Sequence, residues 1–179
     1  MFLSIISANN LNAMVQLALK VPEGDFVEVG VYQGGSAWKL YEVAIAQGRR
    51  LHLFDSFCGT PVFTEGLDHH TLGHEEFYAP DGTIERIEKE MPLAHIYPGT
   101  FPYTMPEAGL GNLAFVHVDC DQYESYKACI AHLWPQVVVG GIMLFDDYPY
   151  LAGAKKAVDE AFAPHELKLA EARYYVVKQ

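Results

Sequence analysis

Basic residues are scarce in this chain. Its 179 residues include 12 lysines and arginines against 23 aspartates and glutamates, which gives a formal net charge of −11 at pH 7. Such an excess of negative charge is repelled by phosphate backbones and by anionic lipid surfaces. We therefore expect neither a nucleic acid nor a membrane as the main partner, and small molecules become the first class of ligand to consider.

Cysteines and long apolar runs are also scarce. The three cysteines, Cys58, Cys120 and Cys129, are odd in number and lack the paired spacing of a zinc site, so neither a disulfide scaffold nor sulfur-bound zinc is expected. No apolar run is long enough to cross a bilayer, and the opening "MFLSIISANNLNAM" has neither a basic region nor a small-residue cleavage site. These features favour a cytoplasmic protein and leave open whether it forms a homo-oligomer.

Segments with helical and strand-like periodicity alternate along the chain. Alternation of this kind predicts an α/β fold, with a doubly wound, mostly parallel sheet covered by helices on both faces. The segment 166–179 contains two strand-like runs and predicts an antiparallel C-terminal hairpin, which brings the sheet to seven strands. No repeat or shift in composition marks a boundary, so residues 1–179 are predicted to form a single domain. The predicted helices lie within 1–22 and near 37–48, 84–91, 123–134 and 153–162, and the predicted strands are 26–30, 51–55, 95–99, 113–119 and 141–147.

A glycine-rich turn follows the first predicted strand. In "VEVGVYQGGSA", Gly30, Gly34 and Gly35 lie between a strand and a helix, where missing side chains allow a ligand to approach the backbone and the helix N-terminus. The spacing differs from the G-x-G-x-x-G of dinucleotide enzymes, and tight-turn packing without a ligand is the alternative. Asp55 ends the second strand about 20 residues later, where nucleotide-binding sheets place a carboxylate for ribose hydroxyls. A solvated Asp55 at a strand end is the alternative there.

Carboxylates follow two further apolar runs. "LAFVHVDCDQYES" releases Asp119 and Asp121 after the fourth strand, and "GIMLFDDYPY" ends the fifth strand in Asp146 and Asp147. Neighbouring parallel strands lie about 4.8 Å apart, so these acids can converge at one edge of the sheet. The alternative is that they cap turns or are solvated. His117, inside the fourth strand, is predicted to be a hydrogen-bonded core histidine.

The chain resembles the macrocin O-methyltransferase family. The resemblance is carried, in order, by "FVEVGVYQGGSA", "LHLFDSFCGTP", "YPGTFPYTMP", "FVHVDCDQYES" and "GGIMLFDDYPYLAGAKKAVDE", over about residues 24–162. It implies a Rossmann-like class I methyltransferase fold and S-adenosyl-L-methionine-dependent, metal-assisted methylation of a sugar hydroxyl. The implied contacts to the methionine part of the cofactor are Glu28, Gly30, Tyr32, Gly34 and Ser36; Asp55 is implied at the ribose, and Ser56, Gly99, Thr100 and Phe101 near the adenine.

The resemblance also implies that Asp119, Asp146 and Asp147 hold a divalent cation. An all-oxygen set of carboxylates suits Mg²⁺, Mn²⁺ or Ca²⁺ better than zinc, and Mg²⁺ is the expected ion. Three carboxylates held together without a cation would repel one another. Methyl transfer to a hydroxyl also needs a base, for which Asp119 and Asp121 are the candidates.

The expected function is therefore O-methylation of a small-molecule acceptor, a sugar or a secondary metabolite. The long irregular segment 56–80 is expected to form an active-site loop. Two alternatives remain: a catalytically inactive domain that binds S-adenosylmethionine, and a nicotinamide-dependent oxidoreductase. The oxidoreductase would share the sheet and Asp55, but the chain lacks its glycine fingerprint.

Overall fold

A seven-stranded sheet with the order β3-β2-β1-β4-β5-β7-β6 forms the centre of the protein. The computed structural model describes residue 2 and residues 4–68 and 77–179. Strands β1 to β5 are parallel, whereas β7 runs antiparallel to both β5 and β6. The strands are β1 Asp25–Val29, β2 Leu51–Asp55, β3 Ala94–Pro98, β4 Leu113–Val118, β5 Val137–Phe145, β6 Lys168–Ala170 and β7 Arg173–Val177.

Helices cover both faces of this sheet, and each face has its own apolar cluster. One cluster joins the helices that precede β3 to the sheet through residues such as Met14, Leu40 and Ile87. The other joins the later helices through residues such as Tyr126 and Val158. The helices are α1 Ala8–Ala18, α2 Gly35–Ala46, α3 Thr83–Glu90, α4 Met105–Ala108, α5 Tyr123–Leu133 and α6 Ala152–Ala161.

The predicted fold class is confirmed, including the parallel strands and the C-terminal hairpin. Two details differ from the prediction. The short helix α4 was not predicted, and β5 begins at Val137 instead of at Gly141. Gly140, with φ of +83°, and Gly141 look like a turn in the sequence, but the strand runs through them. The β4–β5 register shifts between Leu113 and Phe115, so this pair of strands is irregular there. No described helix has the length and apolar character needed to span a membrane.

Hydrogen bonds tie the first part of the predicted loop 56–80 to the start of α5. Gln122 Oε1 accepts from the Val62 N–H at 2.8 Å. Asp68 accepts from the Thr64 N–H at 2.7 Å and from the Tyr123 N–H at 2.8 Å. This segment therefore lies over the carboxyl ends of the strands. Residues 69–76 of the predicted loop lie outside the described residues.

Candidate active site

The carboxyl ends of the parallel strands β1, β2, β4 and β5 lie at one edge of the sheet. Backbone hydrogen bonds continue past the strands and hold the residues that follow them together. The Gly30 N–H donates to Phe54 O at 2.9 Å, the Asp119 N–H to Val29 O at 2.9 Å, and the Asp146 N–H to Val118 O at 3.0 Å. A cavity opens beyond these ends, with about 1000 Å³ of empty space, open solvent included. Ligands of open α/β sheets bind in this position.

Most of the residues proposed from the sequence line that cavity. Glu28 and Gly34 do not. The residues that do are Gly30, Tyr32, Ser36, Asp55, Ser56, Gly99, Thr100, Phe101, Asp119, Asp121, Asp146 and Asp147. One continuous cavity thus combines the glycine turn, the Asp55 carboxylate and all four aspartates. Sequence reasoning assigned no role to other wall residues, among them Phe77 and Ser125, although Ser125 ends the block "FVHVDCDQYES".

The glycine turn owes its composition to packing as well as to ligand access. A Cβ on Gly30, whose φ is +94°, would lie 1.6 Å from the carbonyl oxygen of Asp119. The close approach that requires glycine here is therefore made by the end of β4, a reason the sequence did not reveal. Gly34 has φ of +85° and faces the Phe2 ring, which a Cβ would meet at 3.1 Å.

Asp55 holds the glycine turn in place through backbone amides. Its Oδ2 accepts from the Val31 N–H at 2.6 Å and from the Tyr32 N–H at 2.7 Å. Its Oδ1 accepts from the Phe57 N–H at 2.7 Å. A carboxylate offers about four acceptor positions, so Asp55 can clamp this turn and still accept a hydrogen bond from a ligand hydroxyl.

We expect Asp55→Ala to lower both stability and cofactor binding. Three partly buried amides would lose a charged acceptor, which should reduce the free energy of unfolding by about 3 kcal/mol. Affinity for S-adenosylhomocysteine should fall at least about tenfold, because the turn and the ribose acceptor are lost together. Thermal melting and calorimetric titration measure the two effects, with Asp81→Ala as the control on an exposed aspartate. Lost affinity with an unchanged Tm would contradict the clamp and leave only a ligand contact.

Left-handed backbone conformations occur at three non-glycine residues around the cavity. Tyr32, Phe57 and Asp121 have φ of +49°, +54° and +61°, and each follows the carboxyl end of a strand. A non-glycine residue in this region costs roughly 1–2 kcal/mol, and such strain concentrates at functional sites. The Asp121 turn is held by its own N–H, which donates to Asp147 Oδ2 at 3.0 Å.

Three of the four aspartates are held in surroundings that disfavour their negative charge. Burial, followed by the charges of Asp146 and Asp147, raises the pKa of Asp119 well above its usual value. Burial and the charges of Asp147 and Asp146 raise the pKa of Asp121 to about 8. Burial and the charge of Asp146 raise the pKa of Asp147 to about 6, although hydrogen bonds from Tyr126 and the Asp121 backbone oppose the rise.

Asp146 differs because two cationic side chains face it. Arg173 donates from Nε to Oδ1 at 2.6 Å and from Nη2 to Oδ2 at 2.9 Å. His117 Nε2 lies 3.8 Å from Asp146 Oδ1, and His117 Nδ1 lies 2.8 Å from Glu28 Oε1. Burial raises the pKa of Asp146, but His117 and Arg173 outweigh it and lower that pKa overall.

His117 is a hydrogen-bonded core residue, as its position in a strand predicted. Burial lowers its pKa, but interactions with Asp146 and Glu28 outweigh this and raise the pKa to about 10. In the metal-free protein the imidazole is then protonated, with Glu28 and Asp146 facing its two ring nitrogens. Glu28, also buried, faces His117 across the β1–β4 pair and lies outside the cavity wall. Sequence reasoning missed this Glu28–His117–Asp146 chain and the role of Arg173.

The chemistry of the donor set fits a hard divalent cation. Carboxylate oxygens of Asp119 and Asp146 lie within 4.8 Å of each other, and Asp147 adds a further carboxylate at the same cavity. Raised pKa values mark a site where negative charges lack compensation, and a dication would supply it. With His117 protonated, the ligands would be oxygens, which Mg²⁺ and Mn²⁺ accept.

Comparison with known proteins identifies a family whose model spans the glycine turn, Asp55 and the four aspartates. The sequence matches the family described as macrocin-O-methyltransferase (TylF) over residues 8–171, a range that includes the glycine turn and all four aspartates. The chain belongs to the macrocin-O-methyltransferase family.

Similar curated proteins are named O-methyltransferases of Streptomyces and Micromonospora. The chain is 33% identical over 157 residues to the 8-demethyl-8-(2,3-dimethoxy-alpha-L-rhamnosyl)-tetracenomycin-C 4'-O-methyltransferase of Streptomyces olivaceus, covering 78% of this chain and 59% of that protein. It is 32% identical over 174 residues to the mycinamicin III 3''-O-methyltransferase of Micromonospora griseorubida, covering 85% of this chain and 66% of that protein. This macrocin-O-methyltransferase family member thus spans about three fifths to two thirds of the length of these curated relatives.

Solved structures agree with the family assignment. The O-methyltransferase NovP is 28% identical and superimposes with a TM-score of 0.82, over 98% of this chain and 82% of that chain. The calicheamicin methyltransferase CalS11 superimposes with a TM-score of 0.80 at 21% identity, over 94% of this chain and 77% of that chain, which shows the shared fold alone.

Proposed function

We propose that this chain is an S-adenosylmethionine-dependent O-methyltransferase that methylates a sugar hydroxyl on a small secondary metabolite, assisted by a divalent cation. The observation that carries the proposal is the single cavity that joins the glycine turn and Asp55 to Asp119, Asp121, Asp146 and Asp147. Family membership supports the reaction class. One relative is named for 4'-O-methylation of a rhamnosyl-bearing tetracenomycin, and another for 3''-O-methylation of mycinamicin III.

The cofactor half of the cavity suits an amino acid joined to a nucleoside. S-adenosylmethionine would supply a methyl group on a sulfonium. The start of α2, at Gly35 and Ser36, presents free N–H groups and a positive dipole end that favour a carboxylate. Asp55 retains acceptor capacity for one ribose hydroxyl, and Phe101 offers an apolar wall for the adenine ring.

The acceptor half of the cavity suits removal of a hydroxyl proton. Asp121 lines the cavity without being one of the proposed ligands. In the metal-free protein burial raises its pKa to about 8, toward the range in which a base works well near neutral pH. We assign proton removal to Asp121, with Asp119 as the alternative. Asp119, Asp146 and Asp147 would hold the cation, which lowers the pKa of a hydroxyl bound to it. The strained turn at Asp121 would fix its position relative to Asp147.

A labelled methyl group tests the proposal directly. The protein is incubated with S-adenosylmethionine carrying a deuterated methyl group and a panel of glycosylated small molecules with free sugar hydroxyls, with Mg²⁺ or with a strong chelator. We expect an acceptor 17 mass units heavier, with the label on a sugar oxygen, and loss of turnover in chelator. Binding of S-adenosylhomocysteine without transfer to any acceptor would instead support an inactive binding domain.

A further inference from the structure

Arg173 places a fixed positive charge against one of the proposed metal ligands. It begins β7, and the antiparallel register pairs the next residue, Tyr174, with Phe145 at the end of β5. The guanidinium therefore meets Asp146, which follows Phe145, and contacts both carboxylate oxygens at 2.6 and 2.9 Å. A two-point contact of this kind is the strongest form of an arginine–carboxylate pair.

A guanidinium in this position competes with a divalent cation. It occupies one acceptor position on each oxygen of Asp146 and brings a positive charge to the place where the dication would bind. The two cations repel each other, so a metal bound at Asp146 weakens the arginine pair, and the arginine pair weakens metal binding. Among the proposed ligands in the described part of the chain, only Asp146 forms an ion pair with an arginine.

The structure also offers Arg173 a second place to lie. An open cavity of about 720 Å³, solvent included, is lined by Arg173 together with Asp121, Asp146, Asp147, Tyr150 and Leu151. The Arg173 Cζ lies 5.8 Å from the centre of the Tyr150 ring, which is 63% exposed. A guanidinium that leaves Asp146 can remain over this ring in a cation–π contact.

We propose that Arg173 is a built-in counterion of Asp146 that a divalent cation must displace, so that Arg173 sets how tightly the site binds metal. The inference rests on the proposed function, because it takes Asp146 as a metal ligand. In the metal-free protein the pair neutralises Asp146; in the metal-bound protein the guanidinium moves toward Tyr150. Arg173 acts through Asp146 and is a positioning residue.

Metal affinity of arginine variants tests the inference. The matched control is Arg50→Gln, since Arg50 also contacts a carboxylate, that of Asp25, through Nε and Nη2, at 3.0 and 2.5 Å, away from the cavity. Calorimetry with Mn²⁺ and Mg²⁺ measures the dissociation constants in the absence of acceptor. We expect Arg173→Gln to tighten Mn²⁺ binding at least tenfold, whereas Arg50→Gln stays within twofold of wild type.

Two further readouts separate this role from a purely structural one. Arg173→Gln should melt at a lower temperature than wild type in chelator and gain more from saturating Mn²⁺. Arg173→Lys keeps the charge but loses the two-point contact, so its Mn²⁺ affinity should fall between wild type and Arg173→Gln; this variant decides the matter if Arg173→Gln does not fold. Metal binding by Arg173→Gln but not by wild type would also support the inference.

Unchanged or weaker Mn²⁺ binding by Arg173→Gln would overturn the inference, as would no binding by either protein. Titration with S-adenosylhomocysteine distinguishes this failure from failure of the proposed function. If S-adenosylhomocysteine binds and the labelled methyl group is transferred in the presence of metal, the proposed function stands and only the inference about Arg173 fails.

Discussion

Asp119→Asn is expected to lower the rate of methyl transfer by about 100- to 1000-fold, the loss typical when one charged group of a catalytic site is removed. Asp119 lines the cavity, and it is both a proposed metal ligand and a candidate base. Turnover with saturating Mg²⁺ measures the effect. Affinity for S-adenosylhomocysteine should stay within about fivefold, because any hydrogen bond to the cofactor that is affected would be worth roughly 1 kcal/mol or less.

Stability distinguishes this explanation from a turn-capping role. In chelator, Asp119→Asn should melt at the wild-type temperature or above it. Burial and the charges of Asp146 and Asp147 raise the pKa of Asp119 because they disfavour its negative charge, and the neutral amide carries none. A capping aspartate would instead cost about 1 kcal/mol with or without metal. Asp81→Asn, on the exposed surface, is the control. Activity within fivefold of wild type would remove Asp119 from the mechanism.

Asp146 is a poorer residue for the same test. Replacing it with asparagine would leave Arg173 and the protonated His117 without their shared counterion. An unpaired buried charge is costly, so loss of activity in Asp146→Asn would combine misfolding with loss of a ligand. Asp119 forms no such ion pair with an arginine among the described residues. The effect of Asp119→Asn is therefore easier to interpret.

The sequence predicts the cavity well because strand ends are readable locally. Asp55, Asp119 and Asp146 each follow an apolar run, and in a parallel sheet all such ends lie at one edge. Prediction fails where an interaction depends on strand order and register. Glu28 and His117 are 89 positions apart and meet only because β4 lies beside β1 in register.

Arg173 was missed for the same physical reason. A C-terminal hairpin is readable from "ELKLAEARYYVVKQ", but nothing local to that segment indicates which of its two strands pairs with β5. The insertion of β7 beside β5 determines that Arg173 faces Asp146. The structure also extends the explanation of a glycine that the sequence did select, since the end of β4, and not ligand access alone, excludes a side chain from Gly30.

Gly30→Ala is expected to lower the free energy of unfolding by about 4 kcal/mol or more. The added Cβ would lie 1.6 Å from the Asp119 carbonyl oxygen and 2.6 Å from its carbonyl carbon, so the ends of β1 and β4 must separate. That movement breaks the hydrogen bond from the Asp119 N–H to Val29 O, now 2.9 Å long. Steric overlap of this kind typically costs 1–3 kcal/mol or more, and a side chain at φ of +94° adds roughly 1 kcal/mol.

The matched control is Gly48→Ala, because Gly48 also has a positive φ, +66°, but nothing lies within 4 Å of its added Cβ. It should show the backbone cost alone, about 1 kcal/mol, which corresponds to a Tm change of roughly 2–4 °C in a chain of this size. Gly30→Ala should lose roughly 10 °C and bind both Mn²⁺ and S-adenosylhomocysteine more weakly, because Asp119 moves with the strand end. Equal melting temperatures for the two variants would show that β1 and β4 can separate at no cost. In that case the close approach at Gly30 would not hold the glycine turn against the aspartates.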